Sequence, residues 1–78
     1  MYYFHELNPV DETTARAAIE AAGGGWVMGR EPGLMLSDMD VTALAGVAAT
    51  VTPLTKAEAD ECVRPGDTYG GAWAGATS

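Results

Sequence analysis

Seventy-eight residues with eleven acids against four bases, a formal charge of -7, make one small acidic domain. That balance argues against naked nucleic acid or an anionic membrane surface as partner, because either would have to be neutralised by Lys and Arg. Hydrophobic residues are 47% of the chain, but much of that is alanine, so the core is thin and would gain from burial against a partner or a second copy.

Residues 2–7, Tyr-Tyr-Phe-His-Glu-Leu, suit a short strand with Tyr3, His5 and Leu7 on one face and Tyr2, Phe4 and Glu6 on the other. Asn8 is a good N-cap and Pro9 fits a first helical position, so a helix is expected over about 9–22. Its inward stripe is Ala15, Ala18, Ile19 and Ala22, and Glu12 and Arg16 stand at the spacing of an i,i+4 ion pair. Gly23-Gly24-Gly25 ends it and reverses the chain.

Trp26–Arg30 reads as a strand, Glu31-Pro32-Gly33-Leu34 as a turn, and Leu34–Leu36 as the returning strand of a hairpin. Ser37 then caps a second helix, with Val41, Leu44, Ala45 and Ala48 at helical spacing. The rival for the end of this segment is a strand over Val47–Val51. Thr55-Lys56-Ala57-Glu58 has the capping-box pattern and opens a third helix over about 56–63, with Asp60 and Arg64 as a further i,i+4 pair. Arg64-Pro65-Gly66-Asp67 turns the chain, and Thr68-Tyr69 begins a last short strand. The pattern is α+β: a small single domain with a short antiparallel sheet, two to three helices and an extended C-terminal tail. Residues 1–68 form the compact body and 69–78 a Gly/Ala-rich arm.

The candidate chemistry is sparse. His5 is the single histidine and sits among strand residues, which suits packing better than acid–base work. Asp38 and Asp40 lack the further oxygen ligands of a calcium loop and are better explained as caps. The triple glycine follows a helix rather than preceding one, so it is no phosphate cradle. Cys62 has no partner for an internal disulfide, and its acidic neighbours Asp60 and Glu61 disfavour a thiolate; a buried structural cysteine is expected. The acids are spread along the chain, which counts against mimicry of nucleic acid. Trp26 suits core packing.

The tail, Tyr69-Gly70-Gly71-Ala72-Trp73 onward, is uncharged and glycine-rich around one indole. Tyr69, Gly70, Gly71 and Trp73 are therefore the expected partner-binding residues, with Trp73 as anchor. No family resemblance attaches to particular residues, and no segment approaches the ~18 apolar residues of a membrane span. The start of the chain lacks the basic residues of a secretory signal, which suggests a soluble cytoplasmic protein or a component of a virion. The expected function is non-enzymatic, without cofactor, metal or small-molecule substrate. It is a small interaction or assembly protein whose partner is another protein or its own copy, such as an accessory decoration or connector component of a phage particle docked through its arm. The alternative is an acidic inhibitor of a basic surface on a host enzyme or immune complex.

Overall fold

The computed structural model describes residues 1–29 and 31–76. Its elements are β1 (Tyr2–Leu7), a 3₁₀ turn (Pro9–Asp11), α1 (Glu12–Ala21), β2 (Gly25–Met28), β3 (Leu34–Ser37), α2 (Val41–Ala45), β4 (Ala49–Leu54), α3 (Lys56–Cys62) and β5 (Thr68–Gly71). This is an α+β domain with one five-stranded, fully antiparallel sheet in the order β4-β1-β3-β2-β5. β1 lies near the middle, paired with β3 through Phe4↔Leu36 and with β4 through Phe4↔Thr52.

Apolar side chains pack on both faces of the sheet, which divides the core in two. On the first face, Leu7, Met28 and Met35 pack against Ala15 and Ile19 of α1, Val41 of α2, and Val47. On the second, Val27, Leu36 and Trp73 form a smaller cluster edged by Tyr2, Phe4, Leu54 and Val63. α3 lies over β1 and β4 on this side. The period-two alternation of β1 is what separates the clusters, since His5 and Leu7 point one way and Tyr2 and Phe4 the other.

The helix starts follow from local capping. The Asn8 side chain accepts a hydrogen bond from the Val10 N–H at 3.1 Å, and Pro9 opens the 3₁₀ turn that leads into α1. At α3 the Thr55 hydroxyl accepts from the Glu58 N–H at 3.2 Å while the Glu58 carboxylate accepts from the Thr55 N–H at 2.8 Å, a complete capping box.

Several expectations are corrected. α2 starts at Val41, not after Ser37, and its cap is Asp40, which accepts from the Thr42 N–H at 2.9 Å. Ser37 stays in β3, buried, donating to the Gly25 carbonyl at 2.9 Å and accepting from the Met39 N–H at 3.0 Å. The helix is only one turn long because Gly46 takes φ +65°, which closes it and returns the chain as β4. Ala48 therefore lies outside the helix, and the rival strand reading holds from Ala49 onward.

Neither expected i,i+4 ion pair forms. Glu12 instead accepts from the Gly33 N–H at 2.6 Å, and Arg16 lies over the Trp26 ring, 5.3 Å from its centroid. A carboxylate bonded to a buried turn amide is worth more than an exposed ion pair. Asp60 pairs with Lys56 at 3.0 Å rather than with Arg64, which lies beyond the end of α3.

Candidate functional site

β5 and the residues after it close on their own domain. Tyr69, Gly70 and Gly71 belong to β5 and pair with Val27, Trp26 and Gly25, so the expected boundary between 68 and 69 falls inside the sheet. The Ala72 N–H then donates to the Gly24 carbonyl at 2.9 Å. Trp73, 9% exposed, packs on the second face with its ring edge-to-face against Tyr2, centroids 5.4 Å apart. Its Nε1–H donates to the Ala76 carbonyl at 2.9 Å, and the Ala76 N–H donates to Asp60 Oδ1 at 2.9 Å.

An arm that leaves the body is therefore not what these residues form. Gly25 is what admits the tail: a β-carbon there would fall on the Trp73 backbone. Gly70 similarly lies against the Trp26 indole with no room for a side chain. Of the four expected partner-binding residues, only Tyr69 offers a large exposed side chain, at 52%. Thr77 and Ser78 lie outside the described residues.

The second face is only partly covered. α3 shields the β1–β4 side, and Trp73 shields Tyr2, Val27 and Leu36. What remains is an open groove of about 660 Å³ whose accessible apolar floor is the half-buried pair Phe4 and Leu34, with Val27 and Leu36 buried beneath it. These four share one side of the sheet through the pairs Phe4↔Leu36 and Val27↔Leu36. Its rim is made by Glu31 of the β2–β3 hairpin, by Glu61 and Cys62 at the end of α3, and by Arg64 and Asp67 of the turn before β5, Asp67 lying beside Gly29. Asp67 Oδ2 accepts from the Arg64 N–H at 2.9 Å and so closes the turn that makes this rim.

Cys62 is exposed rather than buried. α3 turns Ala59 and the following Val63 inward, and the last residue of the helix falls to the groove side. Sequence reasoning missed this groove. The one signal was the second β1 face, where Phe4 is followed by Glu6, with no helix of sufficient length to cover both.

The remaining sites of possible chemistry are occupied by structural roles. His5 is fully buried. Its Nε2 accepts from the Val41 N–H at 3.2 Å and Nδ1 lies 3.3 Å from the Met35 carbonyl. These contacts suit the neutral ring with its proton on Nδ1. Burial holds its pKa below the ordinary 6.5, against the opposing pull of the Met35 carbonyl and Asp40.

Asp38 accepts from the Gly25 N–H at 2.9 Å, tying the helix reversal to the loop after β3. The carboxyl of Asp40 is held low chiefly by the Thr42 hydroxyl, 2.6 Å away. The Glu20 carboxylate accepts from Trp26 Nε1 at 3.0 Å. Among the described residues no cluster of three His, Cys, Asp or Glu side chains could hold a metal ion, and no helix is long and apolar enough to cross a membrane. Compared with protein-family models, curated proteins and solved structures, the chain matches none.

Proposed function

We propose that this is a non-enzymatic interaction or assembly protein, and that it binds another protein through the groove on the second face of its sheet. The observation that carries the reading is the groove with half-buried Phe4 and Leu34 over buried Val27 and Leu36, framed by charged residues. An apolar centre within a polar rim is the anatomy of protein interfaces. The groove also lacks the enclosure that small-molecule sites use to bury most of a ligand. The non-enzymatic part of the reading is supported by His5, which is engaged at both ring nitrogens inside the core.

Two narrower readings differ in support. An accessory role in a phage particle rests on Trp73 seeking a neighbouring subunit, and Trp73 already packs on its own domain. An acidic inhibitor that covers a basic surface of a host enzyme or immune complex is favoured by the acids around the groove.

The test is affinity capture from the native source with the wild-type chain and with Leu34→Glu, a change on the half-buried floor. Circular dichroism first establishes that the variant is folded. A partner captured by the wild type and lost from the variant supports the reading. A folded variant that captures the same proteins in the same yield refutes it.

A further inference from the structure

The groove is lined by one base, Arg64, and by three acids, of which the fold uses only Asp67. Glu12, Glu20, Asp38 and Asp40 each hold a turn amide, an indole N–H or a helix cap. Glu58, Asp60 and Asp67 are likewise spent on the α3 cap, the Lys56 pair with the tail, and the turn before β5. The side chains of Glu6, Asp11, Glu31 and Glu61 make no hydrogen bond or ion pair with the described residues. Two of these line the groove and a third stands beside it. Glu31 of the β2–β3 hairpin and Glu61 of α3 line it. Glu6 is exposed on β1, directly across from Leu34 of the floor and on the same side of the sheet.

From this placement we infer that the occupant is an extended segment of a partner protein that carries Lys or Arg side chains on either side of an apolar residue. The inference rests on the groove being the binding site. Its apolar residue sits on Phe4 and Leu34, and its cations face Glu6, Glu31 and Glu61. The three carboxylates do not converge on a point with other ligands, as a bound metal ion would require, since no such cluster exists among the described residues. They are spread around the floor, which suits several cations spaced along a chain. A second copy of this protein is a poor occupant, because it brings the same net charge of -7 to the same surface.

The experiment titrates isotopically labelled protein with short synthetic peptides and follows the backbone amide shifts. The probes are a peptide of alternating lysine and leucine, one with glutamate in place of lysine, and one with serine in place of leucine. The inference expects saturable shifts at groove residues such as Phe4, Leu34, Leu36 and Glu61 with the lysine–leucine peptide alone, weakening as salt is raised. Combined Glu6→Lys, Glu31→Lys and Glu61→Lys should weaken that binding at least roughly tenfold, the cumulative scale of three exposed charge pairs. These residues are exposed, so the variant should retain the wild-type spectrum away from the groove.

If the glutamate–leucine peptide binds the groove equally well, or the charge-reversed protein keeps its affinity, the basic partner is refuted while the groove remains a binding site. Equal binding of the lysine–serine peptide refutes the inference as well, since the apolar floor then takes no part. Groove shifts that grow with protein concentration alone identify a second copy and overturn it. If no peptide moves the groove amides, the inference and the binding site fall together.

Discussion

Replacing Trp73 by alanine separates a tail that belongs to the domain from one that serves a neighbour. The indole is 9% exposed and sits in the second-face cluster with Val27 and Leu36. A tryptophan buries on the order of 200 Å². At ~25 cal/mol per Å² that is worth about 5 kcal/mol. A compact denatured chain already hides part of that area, which brings the expected loss to about 3–4 kcal/mol. A chain of this length has a total stability of only about 4–12 kcal/mol.

Trp73→Ala should therefore lower the urea midpoint severely or leave the chain largely unfolded. Trp73→Phe keeps most of the apolar contact and loses the Nε1–H bond to Ala76, for about 1 kcal/mol. Trp26 remains as a fluorescence reporter in both variants. If Trp73→Ala costs less than about 1 kcal/mol, the tail is not part of the core. A loss confined to association, with monomer stability unchanged, would restore the reading of Trp73 as an anchor for another subunit.

Thr55→Ala removes one half of the capping box and should cost about 1 kcal/mol in urea denaturation; no loss would mean the cap is replaced by water. Gly25→Ala places a β-carbon against the Trp73 backbone and should lower the melting temperature, while Gly23→Ala, with open space around it but φ +83°, should cost less than the close approach does. Stability should also depend on pH in two stages. The folded chain resists protonating His5, whose pKa lies below the ordinary 6.5, whereas the unfolded chain takes up that proton. Stability is therefore level above about pH 6.5 and falls as the pH drops below it. Asp40, Glu58 and Asp60 are held below the usual carboxylate range, so a second decline follows as the pH falls through about 4. The urea midpoint followed against pH should show both stages, and His5→Gln should abolish the first; a profile flat down to about pH 5 would refute the role of His5.

Two local caps were legible because capping is local: Asn8 opens the 3₁₀ turn before α1, which itself starts only at Glu12, and the capping box opens α3. Asn8, Thr55 and Glu58 each act within three residues, and the sequence pattern places them without knowledge of the sheet. The hairpin of β2 and β3 was legible for the same reason. Asp40 in place of Ser37 was not, because β3 continues far enough to bury Ser37 against the Gly25 carbonyl, a contact across twelve residues. Cys62 was misplaced because an apolar-looking position at the end of a short helix is buried only if the inward stripe reaches it, and here Val63 takes that place. The groove was beyond reach altogether, since it is defined by what α3 and Trp73 leave uncovered.

The tail shows why composition alone misleads. Residues 69–76 carry no charge and, apart from Tyr69 and Trp73, no large side chain, which reads as a segment unable to order itself. The partner surface is supplied from far along the chain. Gly25 lets Trp73 approach the start of β2, Tyr2 meets the ring at an edge, and Asp60 receives the Ala76 amide. The same closure leaves β5 as one edge of the sheet. The opposite edge, β4, is blunted by Pro53, which has no N–H to offer an incoming strand. By packing on the second face, Trp73 covers part of an apolar surface that would otherwise run unbroken from Tyr2 to Leu34. What stays open is a bounded groove with unspent carboxylates at its margin, lying beside the surface that Trp73 covers.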